Sequence, residues 1–373
     1  MRWVLTLVPA GLLAGLLTGL LTGCPADPGP PRADPTPTPT ASTTATGRPE
    51  RPEPVTTLTV VGDIMLGRGV TGRPALEPMA AQLADADITV GNLESTLAVL
   101  GPPNPVQGDP FSASPRVRAD LRAAGFDVLG LANNHTGDYG DASLVETVSL
   151  LRAGGFATFG AGAGLRAARE PAVVRRHGID FGFLGFNAIG ETAEAGPGQP
   201  GALSVSMPPR TGPLDPAELD RVLADVRRLD REVDVVVVVP HWGEQYTYEP
   251  WPVQRRVARA LAHAGADLVV GGHPHWVQGA EWVGDTLVVH SLGNFVFDMD
   301  FSPETMEGLV LEARFRGDRL VSADFVPYRI GPDYAPRVVP RSQARRMLDG
   351  FGAFSSLGAR RAGGARPGSA GRG

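Results

Sequence analysis

The feature that most limits the fold is a short apolar segment, residues 233–239, in which five consecutive valines occur. A strand that is apolar on both faces has to be covered on both faces, and such strands are typical of parallel sheets in α/β proteins. Similar runs end near residues 61, 131 and 270, and amphipathic helical patterns such as residues 215–231 lie between them. The sequence therefore predicts an α/β fold with a buried, largely parallel sheet.

Composition excludes several kinds of chemistry. All 34 basic residues are arginine, so a P-loop lysine and a Schiff-base lysine are impossible. The single cysteine, Cys24, rules out an internal disulfide and a cysteine-rich zinc site. With a net charge of −6 the chain lacks the basic face that nucleic-acid binding requires, so we expect no nucleic-acid partner.

The amino terminus predicts export. Residues 4–21 form an apolar run that follows Arg2, a pattern typical of a secretory signal. The ending Leu21-Thr-Gly-Cys24 resembles the bacterial lipobox, whose cysteine becomes the lipid-bearing first residue of the mature protein. We therefore expect residues 1–23 to be a lipoprotein signal peptide and Cys24 to anchor the chain to the extracytoplasmic face of the bacterial cell membrane. The alternative is an uncleaved membrane helix, because about 18 apolar residues can span a bilayer.

Three further regions follow the predicted signal peptide. Residues 24–54 are rich in proline and threonine and cannot bury enough apolar surface to fold, so we expect a disordered linker. Residues 55–340 carry the strand and helix patterns and are predicted to form one domain. Residues 341–373 are rich in arginine and glycine, which predicts a disordered tail.

Polar residues follow several of the predicted strands. The strand at residues 268–270 runs through two glycines into His273-Pro-His275. The strand-end residues that could bind a metal or catalyse a reaction are Asp63, Glu94, Asn134, His135, His241, His273 and His275. Because the carboxyl ends of parallel strands meet at one edge of a sheet, we expect these side chains to line one crevice. Any one of them could be structural, as Asp63 would be if it capped a helix, but burying unpaired charge repeatedly would be costly.

The chemistry of this set predicts a divalent metal. Carboxylates, imidazoles and a carboxamide form a mixed nitrogen and oxygen set that is suited to Mn, Fe or Zn. The set has more groups than one tetrahedral ion needs, so two ions about 3.5–4 Å apart fit the sequence better. Such a centre activates water and binds the oxygen atoms of a phosphoester or a similar group. A serine hydrolase is a weaker alternative, because the chain has no Gly-x-Ser-x-Gly motif.

Six ordered motifs between residues 58 and 297 resemble those of a known family. They are Gly62-Asp63-Ile-Met-Leu-Gly-Arg68, Gly91-Asn-Leu-Glu94, Ala132-Asn-Asn-His135, Pro240-His-Trp-Gly-Glu244, Gly272-His-Pro-His275 and Ser291-Leu-Gly-Asn-Phe295. Together they resemble the CapA family of bacterial capsule proteins, also called poly-γ-glutamate biosynthesis proteins. That family is related to the calcineurin-like metallophosphoesterases, which implies a four-layer α/β/β/α sandwich with two central sheets. The resemblance also implies a role in capsule or poly-γ-glutamate production.

The resemblance implies a role for each strand-end residue. Asp63 and His275 would bind a first ion, and Glu94 would be the carboxylate that bridges two ions. His135 would be the general acid that protonates the leaving oxygen. The ligands of the second ion would be Asn134, His241 and His273. Further candidates for the site are Asn92, Arg68 and Glu244.

The first motif departs from the phosphoesterase pattern. Phosphoesterases usually carry Asp-x-His there, whereas this chain has Asp63-Ile-Met65, so the first ion lacks an imidazole ligand, which Asn92 could replace. The retained Asn134-His135 pair favours a metal-dependent hydrolase or transferase that acts on a phosphoester or a cell-envelope polymer. Met65 favours the alternative, a non-catalytic scaffold that holds poly-γ-glutamate synthase subunits or the anionic polymer at the membrane.

Overall fold

The computed structural model describes residues 54–105 and 108–357. The predicted signal peptide, Cys24, the linker up to residue 53 and residues 358–373 lie outside the described residues. Within the described part, no helix is both long enough and apolar enough to cross a membrane.

Strands and helices alternate along most of the chain. The described strands, in chain order, are β1 (Val55–Ile64), β2 (Ile88–Leu93), β3 (Val128–Gly130), β4 (Ala157–Phe159), β5 (Ala161–Gly162), β6 (Ala172–Arg176), β7 (Ile179–Leu184), β8 (Gly201–Ala202), β9 (Val235–Val238), β10 (Leu268–Val270), β11 (Val277–Val283), β12 (Thr286–Leu292), β13 (Asn294–Val296), β14 (Glu307–Arg316), β15 (Arg319–Ile330) and β16 (Pro336–Val338). The described α-helices are α1 (Glu77–Ala84), α2 (Val117–Ala123), α3 (Gly140–Ala153), α4 (Leu165–Ala168), α5 (Pro216–Leu229), α6 (Pro252–Ala264) and α7 (Arg341–Ala353). Short 3-10 turns lie at Arg68–Val70 and Glu304–Met306.

Two large sheets form the centre of the molecule. In the first sheet the strand order is β16-β15-β14-β1-β2-β3-β4, with β13 also pairing with β1. Its β1-β2-β3-β4 half is parallel, and β14, β15 and β16 form an antiparallel meander. In the second sheet the order is β11-β12-β10-β9-β7-β6, with a parallel centre and an antiparallel strand at each edge. The valine-rich β9 is buried along its whole length, as its sequence predicts.

Three apolar cores define four layers. Leu83 of α1 and Leu144 of α3 pack on the outer face of the first sheet. Val60 of β1 and Phe183 of β7 belong to the core between the two sheets. Leu261 of α6 packs, with residues of α5, on the outer face of the second sheet. The predicted α/β/β/α sandwich is therefore confirmed.

The carboxyl end of the described chain corrects one sequence prediction. Residues 341–373 were expected to be a disordered tail, but Arg341–Ala353 form α7. Phe351 of α7 is buried and lies 4.6 Å from Phe325, measured between ring centroids. After the helix, the backbone N–H of Ser356 donates to Ala280 O on β11. The domain therefore extends to residue 357. The sequence did not predict this because the few apolar residues of the helix stand among many arginines and glycines.

The carboxyl ends of parallel strands from both sheets meet at one edge. Asp63 near the end of β1 is in register with Asn92 of β2 and with Asn294 of β13. Beyond β9 and β10, His241 and Gly272 extend the parallel pairing of the second sheet. The backbone of the next residue after Gly272 then bonds to Asp63, so the strand ends of both sheets contribute to one site.

Candidate metal centre

Asp63 is fully buried, and both of its carboxylate oxygens accept hydrogen bonds. Oδ1 accepts from Asn92 Nδ2 at 2.8 Å, and Oδ2 accepts from the backbone N–H of His273 at 2.9 Å. The chain after β10 comes this close only because residue 272 is glycine, since a Cβ on Gly272 would lie 2.5 Å from Asp63 Oδ1. Asp63 is therefore a carboxylate that the protein itself already satisfies.

Glu94, which follows β2, is also fully buried but has no hydrogen-bond partner for either carboxylate oxygen. Its Oε1 lies 3.6 Å from His241 Nε2 and 3.9 Å from His135 Nε2. Burial, together with the nearby charge of Asp63, raises the pKa of Glu94 to about 8. A nearby positive charge favours the ionised carboxylate, so a cation bound next to Glu94 would oppose this rise in pKa.

His241 connects the centre to the surface through a chain of polar contacts. Its Nδ1 lies 3.2 Å from Asn92 Nδ2, and its Nε2 lies 2.9 Å from Asn134 Oδ1. Asn134 Nδ2 donates to one oxygen of Glu191 at 2.9 Å, and Arg210 donates to the other at 3.0 Å. Burial lowers the pKa of His241 to about 4, so the ring is neutral at pH 7, the form in which imidazole binds metals.

The two histidines after β10 have left-handed backbone conformations, with φ of 93° at His273 and 58° at His275. For residues other than glycine such conformations cost about 1–3 kcal/mol each and are typical of functional sites. His273 is fully buried, and neither of its ring nitrogens has a hydrogen-bond partner. Burial and the neighbouring His241 lower the pKa of His273. His275 differs, because its Nδ1 donates to Asn294 Oδ1 at 2.8 Å.

The ring of His135 is held in a fixed orientation opposite Glu94. Its Nδ1 donates to Asp138 Oδ2 at 2.8 Å, and the ring stacks on Phe111 with 3.6 Å between centroids. Burial raises the pKa of Asp138, and the bond to His135 opposes that change. Because a carboxylate only accepts, this bond fixes a hydrogen on Nδ1 and leaves Nε2 as the atom that can exchange a proton in the crevice.

The residues present fit a divalent metal ion. Asp63, Glu94 and His241 each offer one ligand atom, and these atoms lie within 4.8 Å of one another. The ring of His273 lies beside this group, with 5.1 Å between its centroid and that of His241. Buried carboxylate oxygens and imidazole nitrogens without partners are costly, and this set of donors suits Mn, Fe or Zn.

The structure brings the seven strand-end residues into one connected cluster and places two further candidates at its rim. Arg68 pairs with Asp298 and Asp109. The carboxylate of Glu244 lies 3.7 Å from Arg210. Arg68 and Glu244 therefore pair with charged side chains outside the connected cluster.

Sequence reasoning missed four residues that orient this cluster, namely Asn133, Asp138, Glu191 and Asn294. Asp138 lies three residues after His135, a spacing that could have revealed it. Glu191 lies in the Gly/Pro-rich loop between β7 and α5, where nothing in the local sequence distinguishes it. The bond from Asn134 to Glu191 places part of that loop at the border of the site.

The fold and the site together define a four-layer α/β protein with a buried carboxylate–imidazole centre. A family model described as bacterial capsule synthesis protein PGA_cap matches residues 57–299, more than half of the chain. The chain therefore belongs to this family of bacterial capsule synthesis proteins, as its six ordered motifs predict.

Relatives with assigned names agree with this family. The capsule biosynthesis protein CapA of Bacillus anthracis is 31% identical, and the match covers 74% of this chain and 67% of the relative. The PGA biosynthesis protein CapA of Bacillus subtilis is 31% identical, over 67% of this chain and 65% of the relative. The chain thus spans about two thirds of the length of both relatives. Among solved structures, a novel phosphatase from Mycoplasma pneumoniae has a TM-score of 0.45 and 10% identity, covering 80% of this chain and 99% of that chain.

Proposed function

We propose that this chain is an exported, lipid-anchored capsule-family protein whose strand-end centre is a metal-dependent hydrolase-type site. Its substrate would be a phosphoester or an anionic cell-envelope polymer that is handled during capsule or poly-γ-glutamate production. The ion would be of the Mn, Fe or Zn class, which the donor set favours.

The observation that carries this proposal is the pair of unpartnered groups in the centre. The Glu94 carboxylate and the His273 imidazole are both fully buried, and none of their four polar atoms has a hydrogen-bond partner. A buried polar group without a partner costs about 1–3 kcal/mol by mutational measurements. The fold retains two such groups, each next to His241, in one connected cluster, which favours a bound cation over a purely structural role.

The protein groups around this pair support proton transfer. A bound divalent ion would supply Lewis-acid polarisation of substrate oxygens. His135 Nε2 lies 3.9 Å from Glu94 Oε1, so a proton carried by Nε2 would be available to a leaving oxygen in the crevice. Asp138 accepts a hydrogen bond from the other ring nitrogen at 2.8 Å and so fixes the orientation of the ring. The burial of the centre excludes bulk water and strengthens these interactions.

Hydrolysis of a generic phosphodiester by the purified chain, together with its metal content, tests the proposed activity. We expect bound metal and measurable hydrolysis in the wild type, loss of hydrolysis with retained metal in His135→Ala, and loss of both in His273→Ala. His263→Ala is the matched control, because His263 is exposed on α6. A protein without metal and without activity would exclude the hydrolase.

Membrane attachment is a separate part of the proposal. It is supported by the position of Cys24 at the end of the predicted signal peptide. We expect the wild type in the membrane fraction of the native host and Cys24→Ala in the soluble exported fraction. A Cys24→Ala protein that remains membrane-bound would contradict a lipid anchor and favour an uncleaved helix.

A scaffold role is the second candidate, and Met65 favours it. Met65 is fully buried in the apolar core beneath the first sheet, so the first motif contributes no imidazole to the centre. A Mycobacterium tuberculosis relative, 28% identical over 66% of this chain and 75% of its own length, is named a probable polyglutamine synthesis accessory protein. The partners of a scaffold would be poly-γ-glutamate synthase subunits or the anionic polymer. Co-purification of an inactive, metal-free chain with membrane synthase subunits would support this candidate.

A further inference from the structure

We propose that this chain holds one divalent ion, not the two that its sequence suggests, because the carboxamide of Asn92 occupies the place of the other ion. We infer this on the basis of the proposed function, since a count of ions has meaning only if the centre binds metal.

The Asn92 carboxamide lies between groups that could otherwise share an ion. Asn92 Nδ2 is 2.8 Å from Asp63 Oδ1 and 3.2 Å from His241 Nδ1. An amide nitrogen carries two N–H donors and offers no lone pair to a metal. Its hydrogens give Asp63 the positive partner that a cation would otherwise provide, and they repel a cation that approaches the same atoms.

Rotation of this carboxamide cannot make it a ligand, because Asn133 fixes its orientation. Asn133 Oδ1 accepts from the backbone N–H of His135 at 3.1 Å, and Asn133 Nδ2 donates to the backbone oxygen of Leu93 at 2.9 Å. Main-chain groups have fixed donor and acceptor roles, so they identify the oxygen and the nitrogen of Asn133. Asn133 Nδ2 also donates to Asn92 Oδ1 at 2.9 Å. The nitrogen of Asn92 must therefore face Asp63.

Three further atoms near Asp63 and Asn92 are also engaged in hydrogen bonds. The second oxygen of Asp63 accepts from the backbone N–H of His273, and His275 Nδ1 donates to Asn294. Met65 Sδ accepts from the backbone N–H of Gly67 at 3.1 Å and packs in the apolar core. Both oxygens of Asp63 are thus satisfied by hydrogen bonds, and Met65 offers no imidazole ligand.

The side-chain atoms of the centre that lack partners belong to Glu94 and His273. Glu94 and His273 have no hydrogen bonds, and Glu94 Oε1 lies 3.6 Å from His241 Nε2. His241 Nε2 in turn lies 2.9 Å from Asn134 Oδ1. One ion beside Glu94 and His241 would give the Glu94 carboxylate the partner that it lacks, and the ring of His273 lies next to His241, with 5.1 Å between the centroids.

The number of ions bound per chain tests this inference. The purified full-length chain is stripped with a chelator and titrated with Mn²⁺ and, separately, with Zn²⁺, and bound metal is counted by calorimetry and elemental analysis. We expect one ion per chain and, with Mn²⁺, the electron paramagnetic resonance spectrum of an isolated ion. Two tightly bound ions or a spin-coupled spectrum would overturn the inference and leave the proposed function intact. A chain that binds no ion would overturn both.

Asn92→Asp tests the part played by the carboxamide. The substitution replaces the N–H donors that face Asp63 with a carboxylate that attracts a cation, so we expect the count to rise from one ion to two. Gln199→Glu is the matched control, because it makes the same amide-to-acid change on an exposed side chain that bonds to Asp141, and it should keep one ion. Circular dichroism checks that both variants fold. A folded Asn92→Asp protein that still binds one ion would contradict the role of Asn92, and if that variant does not fold, the wild-type count decides.

Discussion

The two halves of the candidate metal centre use similar residue types but differ in how their polar atoms are satisfied. In the closed half, formed by Asp63, Asn92 and His275, both oxygens of Asp63 accept hydrogen bonds and the His275 ring donates to Asn294. In the open half, formed by Glu94 and His273, no polar side-chain atom has a hydrogen-bond partner. Residue type alone therefore does not distinguish the two halves, and the hydrogen bonds around each group do.

The largest expected effect comes from neutralising one carboxylate at a time, Glu94 in the open half or Asp63 in the closed half. Glu94→Gln should abolish detectable metal binding, a loss of more than about 100-fold, because outer-shell changes alone are worth about 10–100-fold. Asp63→Asn should reduce affinity by only about tenfold, since its oxygens already have protein partners. Calorimetric titration of both variants with Mn²⁺ measures the difference. Equal losses of Mn²⁺ affinity in the two variants would contradict the proposed difference between the two halves.

A smaller effect is expected from the acidic residue that orients Asn134. In the wild type, Asn134 Nδ2 donates to the carboxylate of Glu191. Glu191→Gln replaces that carboxylate with an uncharged amide, which weakens this hydrogen bond, so the Asn134 oxygen is held less firmly toward His241. We expect metal affinity to fall by about 10–100-fold, with the thermal stability of the metal-free chain little changed. The matched control is Glu244→Gln, because Glu244 shares Arg210 with Glu191 and makes only a 3.7 Å contact with it. Equal losses in the two variants would mean that the rim charge matters and the orientation of Asn134 does not.

Gly272→Ala tests the close packing of the closed half. The added Cβ would lie 2.5 Å from Asp63 Oδ1 and 3.3 Å from His241 Nδ1, so the chain after β10 has to move. Overpacking of this kind costs about 1–3 kcal/mol. We expect the free energy of unfolding of the metal-free chain, measured with urea, to fall by that amount. Gly350→Ala is the control, because a Cβ there meets nothing within 4 Å and the residue lies in α7. A Gly272→Ala protein as stable as the wild type would show that the backbone of this half adjusts freely.

The smallest effect concerns His290, a buried imidazole outside the centre that bonds to Glu281 at 2.9 Å. Burial lowers the pKa of His290, and the contact with Glu281 partly opposes this. An unfolded histidine binds a proton below about pH 6.5, whereas the folded one stays neutral to lower pH, so stability falls as the pH decreases below about 6.5. The slope from this one group is at most about 1.4 kcal/mol per pH unit.

His290→Gln should therefore reduce the pH dependence of unfolding free energy between about pH 5 and pH 7. Urea unfolding in the presence of a chelator measures it, and His263→Gln, on an exposed helix position, should keep the wild-type slope. An unchanged slope in His290→Gln would mean that other groups, such as the buried His241 and His273 of the centre, account for the acid sensitivity.

The sequence predicted the architecture because its periodicities are local. The continuous valine run identified β9, and the motif order identified a four-layer fold with its polar residues at the strand ends. The helix at Arg341–Ala353 escaped prediction, since only Leu348 and Phe351 mark its apolar face among arginines and glycines. The positions of Arg68 and Glu244 were not predictable either, because each pairs with charged residues that are distant in the chain.

The sequence by itself determined the types of donor in the centre, the family of the chain and the absence of lysine and disulfide chemistry. Only the tertiary structure decided which donors are satisfied. Asp63 receives its hydrogen bonds from residues 29 and 210 positions away, and Asn92 is oriented by a residue 41 positions away. Such bonds depend on how two sheets meet at their strand ends, a property of packing that no local pattern records. That is why Glu94 and Asp63, two buried carboxylates near the carboxyl ends of neighbouring strands, have different partners.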